Sequence, residues 1–337
     1  MEKRRLGKTG FEVSVIGLGG IPIQRCNQEI SDEIIEQALK SGINFIDTAR
    51  LYSVSEEYLG NSINKVGREH FIVATKSAQV TYEGIKADFE TSYAKLGIDV
   101  IDLYQFHNVS KIENYEKLLS EDGAYKYALE LKEKGLIREI GITSHSKDIL
   151  DIAVETDYFS TIQFPYNPVE LQGEELFKRA KERDIGVIVM KPIGGGVITQ
   201  GELSLRYILE NENVTTAIPG MGSVDEVVRN AEIGNDFRDL SEEERAKLFE
   251  ETGSLGNDFC RRCMYCAPCS VGIDIPMMFT LNNYLTKYGL EHWARPRYES
   301  MPNANDCIEC GDCEPRCPYE LKIIEKLKVV ANNFDKA

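Results

Sequence analysis

Eight short apolar segments, each followed by room for one helix, constrain this chain more than any other feature. They fall at residues 15–20, 44–49, 71–76, 100–107, 139–144, 161–166, 186–192 and 215–219. Strands that stay apolar along their length are buried on both faces, and helical crossovers make neighbouring strands parallel. Eight such βα units predict an α/β fold, a (β/α)8 TIM barrel, which takes about 250 residues of the 337 present. Arg5-Leu-Gly-Lys-Thr-Gly-Phe11 reads as a hairpin plugging the barrel floor. One helix is expected to start with Ser31 as N-cap, bury Ile34, Ile35, Ala38 and Leu39, and stop at Gly42. Another is expected to open at Ser55 and close at Leu59-Gly60. Gly17-Leu-Gly-Gly20 lacks the third glycine and the following helix of a dinucleotide fingerprint, so it predicts close packing at the first strand's end.

Cysteine usage divides the chain. Only Cys26, read as a small hydrophobe or loop thiol, precedes residue 260; the other eight cysteines lie between Cys260 and Cys317. Ser241-Glu-Glu-Glu244 is a capping box for a helix to about residue 251, and Gly253-Ser-Leu-Gly256 is expected to break it. The expected organisation is a barrel at 1–235, a linker helix at 236–258 and a cysteine-rich, mainly helical domain at 259–337. A net charge of -16 argues against nucleic acid or an anionic bilayer as partner and is compatible with docking a basic redox protein. No run of about 18 apolar residues suggests a membrane span, and no apolar stretch follows the basic N-terminus. Together with clustered thiols, these features predict a cytoplasmic protein with thiolate chemistry rather than disulfides.

Chemistry in such a barrel sits at the carboxyl ends of the strands. Those ends carry Asp47, Lys76, His107 and Ser144, with Tyr52 in the loop after Asp47. Each has a plain structural explanation alone, as a cap, an ion-pair partner or a core hydrogen-bonder. Gathered at one end, they suit carbonyl reduction. Hydride delivery builds negative charge on oxygen, which needs a proton, and a phenol of pKa about 10 is a weak donor. An ammonium at Lys76 would favour the phenolate of Tyr52 and lower that pKa. Asp47 would hold Lys76, and His107 would orient the carbonyl oxygen.

The chain resembles the aldo/keto reductases. The likeness is carried by Asn44-Phe-Ile-Asp-Thr-Ala49, Leu51-Tyr52, Ser55-Glu56, Leu59-Gly60, Val73-Ala-Thr-Lys76 and Asp102-Leu-Tyr-Gln-Phe-His107. It continues through Gly141-Ile-Thr-Ser-His145, Gln163-Phe-Pro-Tyr-Asn167 and Ile218-Pro-Gly220 to Asn230, covering residues 1–232. It implies a catalytic tetrad of Asp47, Tyr52, Lys76 and His107, with Tyr52 as general acid and base. It also implies NADP or NAD, with the nicotinamide amide held by Ser144 and Gln163 and further contacts at Met190, Lys191, Gly194, Gly220, Glu226 and Asn230. Three positions depart from the family. Met190 stands where an aromatic usually stacks on the nicotinamide, and Gly220 and Glu226 replace a Lys and an Arg that hold the 2′-phosphate of NADP. A carboxylate repels phosphate but accepts from the ribose hydroxyls of NAD; Arg229 is the cation that would offset it. Gly194-Gly-Gly196 still permits close backbone approach to a pyrophosphate.

Cys307-Ile-Glu-Cys310-Gly-Asp-Cys313-Glu-Pro-Arg-Cys317-Pro318 has the C-x2-C-x2-C-x3-C-P spacing of bacterial-type ferredoxins. Cys260-Arg-Arg-Cys263-Met-Tyr-Cys266-Ala-Pro-Cys269 is similar, but has two residues before its last cysteine and Ser270 in place of the proline. The resemblance implies two [4Fe–4S] clusters with crossed ligands: Cys260, Cys263, Cys266 and Cys317 on one, and Cys307, Cys310, Cys313 and Cys269 on the other. Paired zinc sites are the alternative, although C-x2-C-x2-C triplets suit cubanes better than two tetrahedral ions. Two functions remain open. One is a nicotinamide-dependent oxidoreductase acting on a small carbonyl or alcohol, with the clusters as electron relay. The other is an electron-transfer subunit whose barrel is a non-catalytic scaffold.

Overall fold

The eight apolar segments pair side by side in chain order, each parallel to the next. The computed structural model describes residues 1–255, 260–262, 264–317 and 319–336. A hairpin, β1 (Lys3–Arg5) and β2 (Glu12–Ser14), precedes the sheet. Then come β3 (Leu18–Gly19), β4 (Phe45–Asp47), β5 (Ile72–Ser77), β6 (Ile101–Phe106), β7 (Ile137–Thr143), β8 (Thr161–Pro165), β9 (Gly186–Met190) and β10 (Thr216–Ala217). Backbone bonds from Ala217 N to Val15 O and from Gly19 N to Pro219 O, both 2.9 Å, join the last strand to the first. The sheet is thereby closed into the (β/α)8 barrel expected from the repeat.

Helices α1 (Gln28–Lys40), α2 (Ser55–Val66), α3 (Tyr82–Leu96), α4 (Ile112–Leu119), α5 (Ala124–Glu133), α6 (Lys147–Ala153), α7 (Glu174–Glu182), α8 (Gly201–Leu209) and α9 (Val224–Asn235) alternate with the strands, except that α4 and α5 both lie between β6 and β7. Two boundaries differ from expectation. The true cap of α1 is Asn27, whose side chain accepts from Ile30 N; Ser31 lies inside the helix, bonded to Ser62 at 3.0 Å. Helix α2 runs straight through Gly60. A Cβ there would sit 2.2 Å from Leu96 O, so this glycine permits a close helix crossing rather than ending the helix.

Leu6 and Val13 of the hairpin region pack with Phe45, Ala74, Leu103 and Ile188, which form the apolar floor of the barrel. Side chains two apart along a strand share a face. The next inward residues above this floor are therefore Asp47, Lys76, Gln105 and Met190. Floor and site share one set of strands.

The chain divides into two compact units, Met1–Glu251 and Thr252–Ala337. Helix α10 (Glu242–Leu255) opens with the expected box: Ser241 Oγ accepts from Glu244 N at 3.2 Å, and Glu244 Oε2 accepts from Ser241 N at 2.9 Å. It continues past Gly253 instead of breaking there, since one helical glycine costs only about 1 kcal/mol. The second unit contains α11 (Ile275–Thr286), α12 (Glu291–Glu299) and α13 (Ile323–Lys336). Met278, Leu281, Leu290, Ala294, Leu327 and Val330 form its core. Tyr284 stacks on Trp293 at 4.4 Å and Tyr298 on Phe334 at 3.9 Å.

Candidate active site and cluster-binding cysteines

Asp47 ends β4 and Lys76 lies near the end of β5, both with side chains drawn inside the barrel and almost wholly buried. Lys76 Nζ donates to Asp47 Oδ1 at 2.5 Å and to Thr48 O at 2.7 Å. Gln105 Nε2 donates to the other Asp47 oxygen at 3.1 Å. Burial pushes the Asp47 carboxyl above the usual carboxylate range, against the pull of Lys76 and the glutamine donors. Burial likewise pushes Lys76 below the usual lysine range, and Asp47 opposes that shift. The pair is a buried charge couple braced on both sides.

Tyr52 sits in the turn between β4 and α2, where its N–H donates to Ala49 O at 2.9 Å and its carbonyl accepts from Ser55 N at 2.7 Å. Its ring lies with its centroid 5.4 Å from Lys76 Nζ. His107, just past β6, meets that ring edge-on, with centroids 5.8 Å apart and planes at 85°. Desolvation, with the Lys76 charge second, pushes His107 down to about 3, so its imidazole is neutral at working pH. Its Nδ1 is buried without a hydrogen-bond partner. The fold thus gathers all four tetrad residues. Gln105 was missed by sequence reasoning, although a polar residue two before His107 on a buried strand carries the necessary signal.

The positions expected to hold a nicotinamide lie on the adjoining strands. Gln163 projects from β8 with its Oε1 buried and unsatisfied, an acceptor suited to an amide N–H. Ser144 follows β7; its Oγ accepts from Ser146 N at 2.9 Å and keeps its own proton to donate. Met190 ends β9 and packs against the apolar floor. Lys191 adopts φ 55°, and Gly194, Gly195 and Gly196 follow with φ 58°, 69° and 86°. A cavity of ≈ 650 Å³ lies further along, lined by Gly220, Glu226 and Asn230 among others. None of the tetrad lines it. Glu226 Oε2 accepts from Gly222 N at 2.6 Å, and Ser223 caps α9 by accepting from Glu226 N.

Cys26 is half-buried, its Sγ near Pro22 O and Gly222 O at 3.6 and 3.5 Å. The other described cysteines fall around two small cavities. Cys260, Cys266 and Cys317 line one, with Arg261, Phe279 and Tyr319. Cys269, Cys307, Cys310 and Cys313 line the other. Cys263 lies outside the described residues, as does Pro318. No disulfide links the described cysteines, and among described residues no three Cys, His, Asp or Glu side chains converge on a single metal ion. A cubane places its four thiolates on separate irons, and a donor set of only sulfur suits it. Ile275 borders both cavities.

A parallel barrel with a buried Lys–Asp couple and a tyrosine at its mouth defines a class of oxidoreductase. Comparison with known proteins places the chain within that class. The aldo/keto reductase family matches residues 15–202, and a 4Fe-4S dicluster domain matches residues 259–322. YhdN of Bacillus subtilis, an aldo-keto reductase, is 31% identical over 65% of this chain and 70% of its own length. L-galactose dehydrogenase of Arabidopsis thaliana is 26% identical over 72% of this chain and 93% of its own. The holo form of aldo-keto reductase AKR11C1 from Bacillus halodurans superposes with TM-score 0.66 at 25% identity, over 74% of this chain and 96% of that one. This chain belongs to the aldo/keto reductase family and carries a 4Fe–4S dicluster domain at its C-terminus. It is an oxidoreductase.

Proposed function

We propose that the barrel interconverts a small carbonyl and its alcohol with a nicotinamide cofactor, and that Tyr52 is the general acid and base. A bound nicotinamide supplies or takes the hydride. The chain's own residues handle the proton and the developing charge. Tyr52 gives its hydroxyl proton to the carbonyl oxygen during reduction and takes it back during oxidation. Lys76 favours the phenolate left behind, and Asp47 and Gln105 fix the ammonium. Neutral His107 donates a hydrogen bond to the same oxygen and so orients it. Ser144 and Gln163 are the proposed grip on the carboxamide. The observation that carries this reading is the placement of the Lys76 ammonium, 2.5 Å from Asp47 and 5.4 Å from the Tyr52 ring.

The adenosine end is proposed to lie in the cavity beside Glu226, and the cofactor to be NAD rather than NADP. Charged residues lining that cavity are Glu202, Arg206, Glu226, Arg229, Glu232 and Asp236. The guanidinium of Arg206 is held by Glu202 and Asp236 O, while Arg229 leans on Asp225. A 2′-phosphate would enter a field with more carboxylates than cations.

The cysteine unit is proposed to hold two [4Fe–4S] clusters, with Cys317 crossing to the first triplet and Cys269 to the second. The division of cysteines between the two cavities supports that pairing. Each cubane takes one electron, whereas nicotinamide moves two as hydride. Direct exchange between them is therefore unbalanced without a carrier, such as a flavin or a quinone, that handles both. The clusters are proposed to relay single electrons to a protein partner.

Tyr52→Phe tests the catalytic reading. Carbonyl reduction is expected to fall by about 10²- to 10⁴-fold, with dinucleotide binding retained in a fluorescence titration. Undiminished turnover would remove Tyr52 from the proton transfer, and a wild-type protein that binds no dinucleotide and reduces no carbonyl would return the barrel to the role of scaffold.

A further inference from the structure

Glu56 has no exposed side-chain surface, yet the proton chemistry just described does not use it. Taking a carboxylate wholly out of water is unfavourable unless pairing and hydrogen bonds offset it. It lies in the first turn of α2, but its partners are elsewhere. One oxygen accepts from the Thr75 hydroxyl at 2.7 Å, and the other is ion-paired with Arg50. Thr75 immediately precedes Lys76 on β5. Arg50 stands two residues before Tyr52, and its backbone N–H donates to Lys76 O at 2.9 Å. A single carboxylate thus ties the strand bearing Lys76 to the turn bearing Tyr52.

We propose that Glu56 is a positioning residue that fixes the Tyr52 turn against the Lys76 strand and balances the charge between them, so that phenol and ammonium keep their spacing. The proposal rests on Tyr52 being the proton donor. Seven charged or titratable groups lie around the Tyr52 ring and the turn that carries it. Asp47, Lys76 and His107 come from the strand ends, Arg50 from its own turn, Glu56 and Glu57 from α2, and Lys95 from α3. Of these, Lys95 reaches Ser53 O at 3.4 Å and Glu57 at 3.8 Å, which holds the far side of the same turn.

The test is steady-state reduction across pH for wild type, Glu56→Gln and the double variant Arg50→Met/Glu56→Gln, with Tyr52→Phe alongside. A small misplacement of a reacting group costs on the order of 10²-fold. Both Glu56 variants are therefore expected to lose about 10- to 100-fold in kcat, with dinucleotide Kd within about twofold of wild type. Glu56→Gln leaves Arg50 uncompensated, which favours the phenolate, so the alkaline limb of its kcat profile moves to lower pH. In the double variant, which buries no lone charge, the limb returns towards wild type while kcat stays low. If the single variant does not fold, the double variant carries the test through this split. A kcat equal to wild type in the double variant would overturn the proposal. So would parallel loss of dinucleotide binding, or a limb that stays put in Glu56→Gln. Full activity in Tyr52→Phe would overturn the parent reading and this one with it.

Discussion

With Nδ1 buried and unsatisfied beside the Lys76 ammonium, His107 resists protonation until about pH 3, against 6.5 for a free imidazole. Its contribution to folding therefore has a definite sign. Between those values the unfolded chain binds a proton that the folded chain does not, so stability is complete above the unfolded pKa and is lost as pH falls through the window. Urea midpoints for wild type and His107→Gln should converge as pH drops from 6.5 towards 3; parallel curves would show that this histidine is hydrated in solution. Glu226 offers a second single-residue test. If its carboxylate disfavours a 2′-phosphate, the wild-type protein binds NADH more tightly than NADPH. Glu226→Gln should then narrow the ratio of the two Kd values by about tenfold, roughly 1.4 kcal/mol. An unchanged ratio would place the discrimination elsewhere. The gathering of Asp47, Tyr52, Lys76 and His107 was legible in the sequence because each stands at a strand end or just beyond one. Gln105 carried a signal, as a polar residue two before His107 on a buried strand, but its partner Asp47 was not readable from it. Glu56 was not singled out for function, because its importance lies in which side chains it reaches, and only the folded arrangement supplies that.

At the scale of elements, all eight barrel strands could be located from apolar runs, since burial on both faces leaves a continuous signal. Helix ends were harder. Asn27 and Ser31 are both credible caps, and the choice between them is made by Ser62 on α2, which uses the Ser31 hydroxyl. Gly60 was equally ambiguous, because a glycine that ends a helix and one that lets two helices touch look the same in one dimension. The structure distinguishes them and yields a prediction. Gly60→Ala puts a methyl group against Leu96 O, with no flexible side chain able to yield. It should cost about 1–3 kcal/mol in chemical denaturation, without changing dinucleotide affinity. A neutral substitution would mean that α2 and α3 pack less closely than described. The floor follows the same logic: Phe45, Ala74, Leu103 and Ile188 are legible as inward residues only once the register of each strand is known.

At the scale of the whole molecule, the chain joins an aldo/keto reductase barrel to a 4Fe–4S dicluster domain. The likeness to Arabidopsis L-galactose dehydrogenase covers 93% of that enzyme but 72% of this chain, while the cysteine unit matches a dicluster domain of its own. Cysteine spacing announced this unit, and it also carried the crossed ligand pairing through the ferredoxin resemblance. Spacing alone did not decide between iron cubanes and zinc, because both use C-x2-C pairs. The division of seven described cysteines between two cavities fits either metal. The spatial argument for the cubanes is that among the described residues no three such side chains converge on one ion. Metal and sulfide analysis of the protein purified without oxygen, with low-temperature EPR after dithionite reduction, tests the union of the two domains most directly. Two cubanes predict about eight iron and eight acid-labile sulfide per chain, with a reduced-cluster signal. Less than about one iron per chain, with zinc in stoichiometric amount and no labile sulfide, would contradict the account.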